Sequence, residues 1–278
     1  MSNIFEIQNL KCSYKKGTVQ DSDIVLEISN LSIQEGKIDF IVGPSGIGKS
    51  TILETLGFMN NTIASADVFK FQNDDVKNLW LKNDSEKSEF RNQNFSFIFQ
   101  DNNLMQNFTA YENVMATALI QGVERKKAEE MTLLALKDMG LDYKADGPVY
   151  HYSGGERQRL AFARAILPDF KVLFGDEPTG NLDAKSADRL MKVLIDAVKK
   201  RNASAIIVSH DLKLSINYAD MIIRIKKIER NSDENGHKSY YGFIDEHQVY
   251  TKGENGFWSC CDAKIEQKEL FDKLVNEL

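Results

Sequence analysis

Residues 38–51 read Ile-Asp-Phe-Ile-Val-Gly-Pro-Ser-Gly-Ile-Gly-Lys-Ser-Thr. The first five form a short, mostly apolar run of strand character. Gly43 to Ser50 then has the spacing Gly-x4-Gly-Lys-Ser, and a helix is expected from Lys49 through KSTILETLGFM. Glycines at such a turn let several backbone N–H groups converge on phosphate oxygens. The helix that starts there points its positive end at the same anion. In this reading Lys49 reaches the β- and γ-phosphates, and the Ser50 hydroxyl is a magnesium ligand. Gly43, Pro44, Ser45, Gly46, Ile47, Gly48 and Thr51 complete the phosphate cradle.

A second stretch, Val172-Leu173-Phe174-Gly175-Asp176-Glu177, ends a buried strand with two carboxylates. Parallel sheets present their ligand sites at the carboxyl ends of their strands. Asp176 is therefore expected to hold magnesium, directly or through water. Glu177, one step further, lies near the γ-phosphate and can polarise a water. The plainer alternative is a solvated acidic pair opening the turn before Pro178.

A third stretch, Ser153-Gly154-Gly155-Glu156, matches a capping box at the head of a helix running to about Leu167 and stopped by Pro168. Capping alone explains the serine and the glutamate. A capped helix start with two glycines is also an anion site. One γ-phosphate is not easily gripped by two such turns from a single chain, so a second copy supplying this turn resolves the geometry.

The totals narrow the classes. The chain has 278 residues, 42% hydrophobic and 27% charged, which is ordinary for a globular protein. A net charge of −6 disfavours general nucleic-acid binding, so no nucleic-acid partner is expected. Cys12, Cys260 and Cys261 make no disulfide framework, and Cys260-Cys261 is too isolated for a metal site. The N-terminal segment MSNIFEIQNL is not expected to be a secretory signal. No run approaches the ~20 apolar residues of a membrane span, so work at a membrane requires another polypeptide to cross it.

Around these motifs, 4–10, 24–33, 205–208 and 221–225 read as strands, as do Phe95, Phe97 and Phe99 by alternation. Residues 61–90 are polar and read as short strands and loops. Helices are expected over 111–121, 125–140 with Gly140 as the stop, and 184–200. Strands alternating with helices predict an α/β fold with a mainly parallel sheet covered on both faces. After Lys227 a polar loop leads to YYGFI and HQVYTK, which are expected to pair as a hairpin. Residues 262–278 follow as a helix with Leu270, Phe271, Leu274, Val275 and Leu278 on one face.

On these motifs the chain resembles the ATP-binding-cassette (ABC) ATPase family over roughly residues 4–228. The resemblance implies a P-loop NTPase of ABC type: a mainly parallel sheet core, an antiparallel β subdomain and a helical subdomain at about 101–154. Residues 229–278 form an extension, a hairpin plus helix. It implies that Gly43–Thr51 is the Walker A loop and Val172–Glu177 the Walker B strand, with Glu177 the catalytic base. Ser153–Glu156 is the signature motif, acting on ATP held by the partner subunit. Tyr152 stands where leucine is more frequent, and Glu156 where glutamine often occurs. Gln100 matches the Q-loop, which contacts magnesium and the attacking water. Asn181-Leu182-Asp183 matches the D-loop, and His210 the switch histidine. Tyr14 falls where an aromatic stacks on adenine, though a strand tyrosine is often simple packing.

Asn103-Leu104-Met105, Phe108–Val114, Ser153–Arg159 and Glu177–Asp183 together resemble the subgroup of lipoprotein-releasing, macrolide- and peptide-exporting and cell-division ATPases. That implies a cytoplasmic subunit, peripheral on the inner face of the membrane, binding Mg-ATP as a homodimer closed by ATP. The partner is a membrane permease. Leu104, Met105, Phe108 and Tyr111 are candidates for the groove that receives it, against ordinary packing. The expected function is driving export or extraction of a peptide, drug or lipoprotein. The alternatives are control of an extracytoplasmic cell-wall process without transport, and a soluble ABC scaffold.

Overall fold

The protein is described here as a computed structural model covering residues 2–15, 17–180, 182–230, 239–253, 255–261 and 263–278. It divides into two compact units, Met1–Lys87 with Ile206–Leu278, and Ser88–Ala205.

The first 87 residues carry β1 (Asn3–Cys12), β2 (Leu26–Gln34), β3 (Ile38–Val42), α1 (Lys49–Leu56), β4 (Ile63–Ser65), β5 (Val68–Phe71) and β6 (Asp74–Asp75), and begin α2 (Asp84–Asn94). The second unit carries β7 (Phe95–Ile98), α3 (Ala110–Ile120), α4 (Arg125–Asp138), α5 (Gly154–Ile166), β8 (Val172–Asp176) and α6 (Ala184–Lys200). Strand β9 (Ser204–Val208) leads the chain back. There follow α7 (Leu212–Tyr218), β10 (Met221–Arg224), β11 (Lys226–Glu229), β12 (Tyr240–Ile244), β13 (Val249–Lys252), β14 (Trp258–Cys260), β15 (Ala263–Ile265) and α8 (Gln267–Glu277).

In the first unit β1 is flanked by antiparallel partners, β2 with Ile7 opposite Leu31 and β5 with Ile7 opposite Phe69. Apolar residues of β1 point inward to an aromatic cluster of Phe5, Phe58, Phe69 and Trp80, with centroids 5.1–6.3 Å apart. Rings at this spacing contribute beyond their buried area. Strand β3 is buried along its whole length and pairs in parallel with β10, Phe40 opposite Ile222. A strand covered on both faces shows no alternation, which is why its sequence is a run.

In the second unit β7 and β8 are parallel, and Phe97 stacks on Phe174 at 5.3 Å and 18°. Helices α3 and α4 pack on each other and on α5. Helix α6 buries Leu190, Met191, Leu194, Ala197 and Val198, a stripe at helical spacing. Gly140 stops the α4 segment at φ +63°, a conformation that glycine adopts without penalty.

Three expectations are corrected, the third being the start of the last helix. Residues 84–94 are a helix, although the polar stretch 61–90 read as strands and loops. Its sequence DSEKSEFRNQN offers one large apolar side chain, so no periodicity announces it. Local capping holds it instead: Asn83 Oδ1 accepts from Glu86 N at 3.0 Å, and buried Lys87 donates to Asn61 Oδ1 at 2.9 Å. The YYGFI and HQVYTK segments do not pair with each other. YYGFI is β12, antiparallel to β11 and parallel to β2, whereas HQVYTK supplies β13, which pairs with β10 and β14. The Asp245-capped turn at Glu246–Gln248 sends the chain from one sheet to the other rather than back on itself.

The expected polar loop lies largely at 231–238, outside the described residues. The last helix begins at Gln267, after β15, and only Leu270 and Leu274 of its expected apolar face are buried. Val275 and Leu278 are exposed. The extension belongs to the same compact unit as the N-terminal sheet.

Candidate functional site

The phosphate loop leaves the end of β3 at Gly43. A Cβ there would lie 3.1 Å from Ile47 Cγ2 and 3.2 Å from Ile225 Cβ, so packing selects glycine. At Gly46 and Gly48 the backbone selects it, with φ +73° and +106°. Gly48 caps α1 with no side-chain hydrogen bond over the helix start. Lys49 is 6% exposed, and its Nζ donates to the carbonyls of Gly43 and Pro44 at 2.8 Å each. The cation is thus held inside the curve of the loop. Ser45 and Ser50 are exposed and Thr51 is buried.

Tyr14 is 54% exposed, so its ring does not serve the core. Its hydroxyl lies 2.9 Å from Thr51 Oγ1 and donates to Glu54 Oε2 at 3.1 Å. Partial burial is the main reason its ionisation is pushed up, which leaves it a donor at neutral pH. His210 is exposed just past β9. Its neighbours fix the segment: Ser209 N donates to Ile41 O at 3.2 Å, and Asp211 caps α7 by accepting from Leu214 N at 3.0 Å.

The remaining candidates lie in the second unit. Asp176 is the last residue of β8. Glu177 has φ +46°, a left-handed conformation unfavourable to a side chain of this size. Such outliers persist where the surroundings over-determine them. Here Gly180 N donates to Glu177 O at 3.1 Å, and the 1% exposed Gln158 donates from Nε2 to Pro178 O. Gln158 was not singled out by sequence, and its signal is a polar side chain on the buried face of α5. Gln100 is exposed two residues past β7.

Asp183 caps α6: Oδ1 accepts from Lys185 N and Ser186 N at 3.1 and 3.0 Å, and Oδ2 from Ser186 Oγ at 2.7 Å. Those bonds hold its carboxyl below the usual range. Asn181, in the same motif, lies outside the described residues.

The glycine turn carries the expected capping box, Ser153 Oγ accepting from Glu156 N at 3.3 Å and Glu156 Oε2 from Ser153 N at 2.8 Å. Tyr143 Oη and Lys144 Nζ each donate to Glu156 Oε1 at 2.6 Å. These donors pull the Glu156 carboxyl from 4.5 to about 2, the lysine contributing most. Gly154 is exposed, with no atom within 4 Å of the place a Cβ would occupy.

Tyr14, Gly43–Thr51 and His210 thus belong to the first unit, and Gln100, Ser153–Glu156, Asp176, Glu177 and Asp183 to the second. Among the described residues no group of three or more His, Cys, Asp or Glu side chains is placed to enclose a metal. A lone hydroxyl, amide and carboxylate suit magnesium, which keeps waters and phosphate oxygens rather than an all-protein cage. The buried ammonium and the glycine turns fit a nucleotide's phosphates.

Of the groove candidates, Leu104 is buried and packs, whereas Met105 and Phe108 are 39% and 45% exposed. Asn113 braces this loop through Met105 N and O at 2.9 and 3.0 Å. Arg164 holds the carbonyls of Asn102 and Asn103, both at 2.6 Å. Beside it runs a concave surface lined by Phe97, Phe99, Met105 and Ile120.

Residues 26–180 match the family described as ABC transporter. The lipoprotein-releasing system ATP-binding protein LolD of Geobacter metallireducens is 36% identical over 225 residues, 81% of this chain and 96% of that protein. LolD of Cytophaga hutchinsonii is 39% identical over 191 residues, 69% and 85% of the two chains. Among solved structures, the dimeric post-hydrolysis state of the ATP-binding cassette MJ0796 bound to ADP and Pi is similar with TM-score 0.69 and 28% identity, covering 79% of this chain and 93% of that one. The cbiO1 protein of Clostridium perfringens, part of the ABC transporter complex cbiONQ, has TM-score 0.68 at 25% identity, covering 81% and 85%.

Proposed function

The chain belongs to the ABC transporter family of ATP-hydrolysing subunits, and we propose that it drives a separate membrane permease in lipoprotein release or a kindred extraction. It does so as a head-to-tail homodimer that closes on Mg-ATP at the inner face of the membrane. The substrate class is supported by the names of the relatives LolD. A separate permease is supported by the absence, among the described residues, of a helix long and apolar enough to cross a bilayer.

The observation that carries the shared site is Gly154. Its φ is not positive and no atom of its own chain crowds a Cβ there, so neither backbone nor packing accounts for glycine. A ligand arriving from outside the chain does. In this reading Lys49 and the loop N–H groups bind the β- and γ-phosphates, and the Tyr14 ring underlies the adenine. Ser50, Gln100 and Asp176 would hold magnesium, whose charge would offset that of the phosphates. Glu177 accepts a proton from a water whose oxygen bonds to the γ-phosphorus as the bond to the bridging β-phosphate oxygen breaks, leaving ADP and phosphate. His210 donates to the γ-phosphate, and Ser153–Gly155 of the second chain close over it. Removing uncompensated negative charge at the γ-phosphate is where such sites gain most. Met105, Phe108 and the Phe97–Phe99 surface receive the permease.

The test is recovery of tagged Glu177→Gln protein from detergent-solubilised native membranes, followed by mass spectrometry. The expected companion is a permease with few spans and a large outer domain of a lipoprotein-handling kind. An outer domain that engages a cell-wall enzyme would replace extraction with control of that enzyme. Recovery in the soluble fraction with cytosolic partners alone would overturn the membrane reading.

A further inference from the structure

The signature turn of this chain carries a carboxylate, Glu156, within the first turn of the helix that the preceding reading aims at a phosphate. A carboxylate there suits an isolated helix, because it complements the positive end of the dipole. It does not suit an incoming anion, which it repels across a few ångströms of partly excluded solvent. The surroundings of Glu156 resolve the conflict. It is 8% exposed, and Lys144 Nζ sits 2.6 Å from Oε1. Tyr152, 3% exposed, donates from Oη to Lys144 O at 2.6 Å, and the Lys144 ammonium lies 5.3 Å from the Tyr152 ring centroid. The other nearby cations are engaged on carbonyls: Arg157 donates to Tyr152 O at 2.8 Å and Arg159 to Met139 O at 3.1 Å.

Tyr152 and Glu156 both belong to this motif, and both meet on Lys144. A leucine at 152 would offer neither a hydroxyl to the lysine's carbonyl nor a ring face to its ammonium. A glutamine at 156 would need no cation. The three residues form one contacting unit.

We propose that Lys144 is a positioning residue for the shared nucleotide site, cancelling the Glu156 charge so that the Ser153–Gly155 turn presents an undiminished positive end to the partner's γ-phosphate. This rests on the signature role given to that turn above. Lys144 touches no nucleotide in its own right. Its effect appears only where the second chain closes, so ATP binding to a single chain does not depend on it.

The test is a mutant cycle read by ATP turnover and by the ATP concentration that closes the dimer. Lys144→Met leaves the carboxylate charged, because Tyr143 Oη and Ser153 N still donate to it. Turnover is expected to fall about tenfold, with more ATP needed for closure, on the scale of a full charge at a helix start. Nucleotide affinity measured on the single chain stays within about twofold, since the loop that sets it is untouched. Lys144→Arg retains most of the turnover. In a Glu156→Gln background, Lys144→Met costs less than about twofold, because no charge remains to cancel. An equal loss in both backgrounds, or no loss in either, overturns the inference. Ser153→Arg is run alongside to separate the two levels. If it leaves turnover intact, the signature reading itself fails. If it stops turnover while Lys144→Met does not, only the role of the lysine fails.

Discussion

Asp39 is the second residue of β3, fully buried, and neither of its carboxyl oxygens has a hydrogen-bond partner. Burial pushes its ionisation well above the carboxylate range, and the neighbouring Asp220 adds to this against a smaller opposing pull from Lys37. A carboxyl whose folded value is raised is stable while protonated and loses stability as pH rises above its unfolded value of about 3.9. Asp39→Asn removes that titration while keeping the shape. The variant's melting temperature should exceed that of the native chain by at least about 3 °C at pH 8. The gap should narrow as pH falls toward 4. A gap that is constant with pH, or reversed, would show that Asp39 finds a partner on ionising. Sequence could not reveal this. Asp39 reads as one polar residue in an apolar run, and only the pairing of β3 with β10 and the covering of both faces make it a buried acid. The place of Lys49 within its glycine loop, by contrast, was legible because that loop is set by particular residues at particular local spacings.

Elements marked by a cap together with an apolar stripe were legible; α2, which has no stripe, and elements resting on distant partners were not. α5 and α6 announce themselves by a cap and a stripe. β12 does not, because its choice of β2 over β13 is made with a strand from the other end of the chain. Helix α8 was recognised as amphipathic, but which apolar residues it buries depends on α7. Leu270 and Leu274 are fully buried, Val275 is 52% exposed, and Arg224 Nη1 pairs with Glu277 Oε2 at 2.8 Å. These contacts make α8 part of the first unit's core. Leu274→Ala should therefore cost about 2–5 kcal/mol of unfolding free energy, measured by urea titration. Val275→Ala should stay within about 0.5 kcal/mol. Equally small effects would mean that the extension is an appendage that detaches before the core melts.

At the scale of the molecule, the residues proposed for ATP are found in both units, Tyr14, Gly43–Thr51 and His210 in the first and Gln100, Ser153–Glu156, Asp176, Glu177 and Asp183 in the second. In the proposed arrangement a second chain supplies the glycine turn. The net charge is −6, and among the described residues no helix is long and apolar enough to cross a membrane. What no single sequence states is which copy completes which site, since that is a relation between molecules. The motifs imply two anion-binding turns, and at Gly154 of one of them nothing lies within 4 Å of the place a Cβ would occupy.

The most direct test of that claim is the particle size of purified Glu177→Gln protein by light scattering, with and without saturating Mg-ATP. The account predicts one chain without nucleotide and two with it, and loss of the two-chain particle when Ser153→Arg is added while ATP still binds. A Glu177→Gln protein that binds Mg-ATP yet remains a single chain would contradict the shared site.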